Sequence, residues 1–146
     1  MQSMSYVRVW IHAVWGTKDR TPCLSKDVRE ELFSHIKENA KVKGICIDRI
    51  GGHLEHIHCL IALNADTSIA KTIQLIKGES AKWGNENNLT KQKLEWAHEY
   101  FAISVSESQL DIVRAYIDRQ EEHHKKVTYQ EEYEKFLERY GFAFQN

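Results

Sequence analysis

Along the chain the spacing of apolar positions changes several times, and each change marks an element. Tyr6 to Trp15 alternates, with Val7, Val9, Ile11, Ala13 and Trp15 on one parity and Arg8, Trp10 and His12 on the other, which predicts a β-strand buried on at least one face. A loop, Gly16 to Pro22, follows. Ser25 then reads as an N-cap, and Val28, Leu32, Phe33, Ile36, Ala40 and Val42 recur at helical spacing until Gly44. Ile45 to Ile50 alternates again, and Gly51-Gly52 is the tight reversal of a hairpin into Leu54 to Leu63. Thr67 or Ser68 caps a second amphipathic helix running through Ile69, Ile73, Ile76 and Ala81 to Trp83, closed by Gly84 with Asn85, Asn87 and Asn88. Leu94 to Val105 is the fourth strand, Gln109 to His124 a third helix, and Tyr129 to Tyr140 a short acidic fourth.

The order β-α-β-β-α-β followed by helices predicts an α+β fold of ferredoxin-like plan: an antiparallel sheet with two helices on one face, plus C-terminal helices. Side chains alternate across a strand, so if Ile57, Cys59 and Ile61 pack under the helices, His56 and His58 point to the opposite, open face. The third helix is available to cover that face.

Composition narrows the class only a little. With 146 residues, 42% hydrophobic and 28% charged, the chain suits one globular domain, and no apolar run is long enough to span a membrane. Met1 to Tyr6 lacks the basic and hydrophobic regions of a secretory leader, so the cytoplasm is the expected location. Cys23, Cys46 and Cys59 lie far apart without a C-x-x-C pair and read as reduced and structural. A net charge of −1 argues against coating nucleic acid by bulk electrostatics. Residues 1–100 carry 14 Lys and Arg against 12 Asp and Glu, whereas residues 101–146 carry 6 against 9. Any nucleic-acid contact would therefore be a local groove supplied by the first two-thirds, not a basic surface.

Two constellations carry candidate chemistry. In Glu55-His56-Ile57-His58 two imidazoles share one strand face, the spacing of a paired metal ligand; half-buried structural histidines are the competing reading. In Tyr116-Ile117-Asp118-Arg119-Gln120 the tyrosine and glutamine are four apart and share a helix face with Ile112, Arg119 and His123. A core aromatic and a surface amide would look the same. His123-His124 with Lys125-Lys126 reads most simply as a positive helix end. Arg8, Trp10 and His12 on the open-face parity, and Lys71, Lys77 and Lys82 on the second helix, are candidate DNA contacts, with solvated or core placement equally open.

YVRVWIHAVWGTKDR, the HIH strand, IKGESAKW, WAHEYFAISV and AYIDRQ follow one another in an order that resembles the HUH single-tyrosine transposases, small insertion-sequence enzymes acting on single-stranded DNA. The resemblance runs from about Tyr6 to Lys126. It implies that His56, His58 and Gln120 bind Mg2+ or Mn2+ and that Tyr116 is the nucleophile, cutting and rejoining DNA with hairpin ends through a 5′-phosphotyrosine. It also implies a homodimer whose tyrosine helices complete each other's metal sites. A DNA-hairpin-binding protein that has lost cleavage is the alternative. A histidine phosphoesterase fits poorly, because Leu60 follows the pair and no second H-x-Ser/Thr is present.

Overall fold

In the computed structural model, which describes residues 5–142, four strands form one antiparallel sheet in the order β2-β3-β1-β4. The strands are β1 (Val9–Gly16), β2 (Cys46–Gly52), β3 (His56–Leu63) and β4 (Phe101–Val105). Helix α1 (Lys26–Val42) joins β1 to β2, and α2 (Ile69–Glu86) joins β3 to β4. Three helices follow: α3 (Leu110–Asp118), α4 (Gln120–His123) and α5 (Tyr129–Arg139). The β-α-β-β-α-β plan and the α+β class are as expected. Of the leader segment, residues 1–4 lie outside the described residues. Among the described residues no helix is long and apolar enough to cross a membrane, and all three cysteines are free.

The alternation in β1 and β3 does the sorting. Ile11, Ala13 and Trp15 with Ile57, Cys59 and Ile61 form one core with Leu32 and Ile36 of α1 and Ile73 and Ile76 of α2. The opposite parity of the same strands faces the C-terminal helices: Leu60 packs with Leu110 and Ile117, and Val14 with Phe101 and Tyr129. Burial of Leu110 and Ile117 contributes about 2 kcal/mol apiece. That is enough to tie α3 to the sheet.

Starts of helices follow their caps. The Ser25 hydroxyl accepts from the Val28 amide at 3.4 Å, and Ser68 from the Lys71 amide at 3.0 Å. A reciprocal capping box between Thr128 and Glu131 begins α5.

Four expectations change. The hairpin does not turn at the glycines: Gly51 and Gly52 are the last residues of β2, opposite His58 and Ile57, and the turn runs through His53 to Glu55. Their lack of a side chain serves clearance instead, since a Cβ on Gly51 would collide with the Ile117 carbonyl and one on Gly52 with the His56 carbonyl. Strand four is shorter than Leu94 to Val105. Before Phe101 the chain makes a single bridge, Thr17 to Trp96, while Asn85 pairs with both backbone groups of Leu94 and the Lys77 ammonium donates to the carbonyls of Ala97 (2.5 Å) and His98 (3.2 Å). These carbonyls are satisfied by side chains and need no strand partner. Of the residues expected to close α2, Gly84 lies within the helix against Leu94, and the cap falls at Asn87. The third helix is broken at Arg119 (φ −104°, ψ 21°), which separates α3 from α4.

Candidate active site

The face carrying His56 and His58 is closed by α3, α4 and α5 of the same chain. Three links dock α3. The Arg114 guanidinium donates to both oxygens of Asp48 on β2, at 2.7 and 3.2 Å; Arg49 lies 3.5 Å from Asp118; and Ile117 sits over the bare Gly51. Tyr116 and Gln120 are thereby turned to the histidines of their own chain. Ile112, expected on the same face, is 63% exposed instead.

At the centre stands a residue the sequence did not single out, Glu132 in the first turn of α5. It is 2% exposed. Its Oε1 lies 3.4 Å from Nε2 of His56, 3.1 Å from Nε2 of His58 and 3.2 Å from Nε2 of His124. Its Oε2 accepts from the Tyr116 hydroxyl and from Gln120 Nε2 (3.3 Å) and lies 3.1 Å from His123 Nε2. The Gln120 Oε1 faces Nε2 of His56 at 3.1 Å and of His124 at 2.9 Å. His124, expected merely to end a helix, is thus part of the cluster.

The other ring nitrogens decide what this cluster can hold. Nδ1 of His56 is 2.8 Å from the Glu55 carboxylate, Nδ1 of His124 is 2.6 Å from the Val127 carbonyl, and Nδ1 of His58 is 2.8 Å from His12 Nε2. A neutral imidazole has one N–H. Where it is committed at Nδ1, Nε2 meets the lone pairs of Glu132 and Gln120 favourably only when it carries a second proton and donates, or when a cation lies between them. The ligand atoms of His56, His58, His124 and Glu132 all lie within 4.8 Å of one another. The donor set therefore fits a divalent cation.

Protonation follows from burial and these contacts. Burial would raise the Glu132 carboxyl, but hydrogen bonds from His124, His56 and His58 hold it far below the carboxylate range. Burial drives His58 down to about 4 and His12, also opposed by His58, to about 3. His56 is raised, since the Glu132 and Glu55 carboxylates outweigh its burial. Burial and the Glu132 charge push the Tyr116 phenol well above its usual value. The sign for stability follows. His12 and His58 take up protons near pH 6.5 when unfolded but only near 3 to 4 when folded, so stability falls as pH drops from about 6.5 toward 4. Glu132 adds a further loss below about 4.5, while His56 acts in the opposite sense. With chelator present, the melting temperature should decline across that window; a flat profile would contradict the assigned burial.

The remaining candidates scatter. His12 is buried behind His58, and Arg8 and Trp10 both meet Glu107, at 3.5 and 3.1 Å. Lys71 and Lys82 are exposed on α2, away from this face, and Lys77 is engaged by backbone carbonyls. Beside Tyr116 opens a cavity of about 550 Å³, bordered by Glu132, His123, Phe136 and Glu138 and by the cations Lys135 and Arg139.

The family model described as "Transposase IS200 like" matches residues 5–120. No curated protein matches the chain. Among solved structures, "a putative transposase from Deinococcus radiodurans R1" superposes with a TM-score of 0.65 at 22% identity, over 82% of this chain and 96% of that one. A REP-associated tyrosine transposase bound to a REP hairpin superposes with a TM-score of 0.62 at 15% identity, over 87% of this chain and 75% of that one. At these identities the likeness is one of fold.

Proposed function

Because the chain belongs to the IS200-like transposase family, we propose that it cleaves and rejoins single-stranded DNA with Tyr116 as nucleophile and a divalent cation held by His56, His58 and Gln120, with His124 and Glu132 completing the donors. The observation that carries this reading is the convergence of three Nε2 atoms on a buried carboxylate whose other oxygen holds the Tyr116 hydroxyl, with the Gln120 oxygen facing two of those nitrogens. A bound cation would polarise the scissile phosphodiester by taking its nonbridging oxygens. Three imidazoles favour a borderline ion such as Mn2+ over Mg2+.

In the reaction the Tyr116 oxygen forms a bond to phosphorus as the bond to the 3′-oxygen breaks. The phenol gives up its proton, and the departing 3′-oxygen takes one up. The 5′-phosphotyrosine conserves the ester bond, so a second 3′-hydroxyl is joined by the reverse step without ATP. Hairpin-ended DNA is proposed as substrate from the hairpin carried by one structural neighbour.

The resemblance implies exchange of tyrosine helices within a homodimer. The Arg114–Asp48 fork and the packing of Ile117 on Gly51 support the unexchanged arrangement, and each nucleophile is proposed to serve its own chain. The substrate strand is assigned to the cavity beside Tyr116, where Lys135 and Arg139 would meet its phosphates. This departs from the groove expected in the first two-thirds of the chain. Replacing both cations by glutamate should weaken single-strand binding about tenfold at low salt and reduce the slope of log affinity against log salt by about 1.4, the value of two phosphate contacts. Unchanged slope would place the strand elsewhere.

The activity itself is tested with end-labelled single strands copied from the DNA flanking the gene. Incubation with Mn2+ should give a protein–DNA adduct that survives denaturation. If neither flank yields one, the reading fails.

A further inference from the structure

The family match stops at residue 120, yet the centre of the cluster is supplied twelve residues later, from α5. Glu132 is set there by contacts on either side of it. Before it, the Thr128–Glu131 capping box fixes the first turn, and the Tyr129 ring stacks on His56 with centroids 4.2 Å apart and planes within 6°. One turn after it, Phe136 lies edge-on to His12, His58 and Tyr116. A helix gripping the histidine strand through two aromatic residues leaves the carboxylate between them little freedom.

The two oxygens of that carboxylate divide their work. Oε1 faces the three Nε2 atoms, while Oε2 takes the Tyr116 hydroxyl. Among the described residues the Tyr116 hydroxyl also lies 3.4 Å from His123 Nε2, a long contact on a partly exposed ring, and the Gln120 side chain reaches it as well. Glu132 is the charged group that links the nucleophile to the cation-holding atoms, and its Oε2 also takes Gln120 Nε2.

We propose that Glu132 is a positioning residue for strand cleavage, one carboxylate that serves the cation site through Oε1 and sets the Tyr116 hydroxyl against that site through Oε2. This rests on the reading of Tyr116 as nucleophile. It makes α5 a working part of the enzyme and not simply a cover for the sheet. It also explains why a carboxylate is buried among imidazoles: its charge is matched to the cation, and its width spaces the phenol from it.

The test uses the full chain with Glu132→Ala and Glu132→Gln, each checked for native circular dichroism. Mn2+ binding, read by electron paramagnetic resonance without DNA, should weaken at least tenfold in both. Adduct formation at saturating oligonucleotide and Mn2+ should slow at least a hundredfold in Glu132→Ala with little change in the half-saturating DNA concentration. Glu132→Gln should recover part of that rate, because its amide oxygen can still accept from Tyr116. Equal or tighter Mn2+ binding by Glu132→Ala, or a rate within twofold of the parent, overturns the proposal. Absence of adduct from the parent chain overturns the transposase reading instead, and the Mn2+ measurement still decides whether Glu132 belongs to the cation site.

Discussion

Tyr116→Phe should leave a folded protein that binds single-stranded DNA and forms no covalent adduct. The substitution removes one oxygen. Glu132 keeps its contacts to His56, His58, His124 and Gln120, so the lost hydrogen bond should cost about 1 kcal/mol of stability. The chemical loss is of another order. Removing the nucleophile of a covalent mechanism leaves only positioning and charge stabilisation, and losses on the order of 10⁴-fold or more are typical. Label transfer on a denaturing gel measures this directly. An adduct at more than about a hundredth of the parent's yield would show that another side chain attacks, and His123, whose Nε2 lies 3.4 Å from the phenol oxygen, would be the one to examine.

Chelation should be nearly as damaging. Three imidazoles, an amide oxygen and a carboxylate oriented by outer hydrogen bonds have little purpose without a cation, and their mutual lone-pair repulsion should leave the stripped protein less stable. Restoring Mn2+ at about a hundred times its dissociation constant should stabilise the fold by about 2.7 kcal/mol, read as a rise in melting temperature. His58→Ala should lose most of that rise, because one of three Nε2 atoms disappears. A full Mn2+ response in His58→Ala would remove His58 from the site. Adduct formation in the parent should follow the same titration.

Much of this was visible in the sequence, for reasons that are local. The period of two in HIHCLI assigned Ile57, Cys59 and Ile61 to one core and both histidines to the other face before any neighbour was known. Tyr116 and Gln120 are one helical turn apart, and the break at Arg119 falls between them without separating them. What was not legible depends on distant partners. A glutamate in the stretch YQEEYEKFLERY reads as solvated, and only imidazoles gathered from β3 and α4 make burial of Glu132 affordable. A weak signal existed, since Tyr129, Glu132, Tyr133 and Phe136 share a face, and a charge within an aromatic stripe is unusual. His124 lies two turns beyond Tyr116 but was masked by the lysines that follow it. The glycine pair satisfied a turn rule while serving the approach of Ile117, a residue far along the chain.

The docking of α3 by Arg114 on Asp48, over the bare backbone of Gly51, has a kinetic consequence. A centre assembled within one polypeptide, as proposed, depends on no second copy of the chain. Its turnover per molecule should stay constant on serial dilution, whereas a centre shared between exchanged helices would lose activity as subunits part.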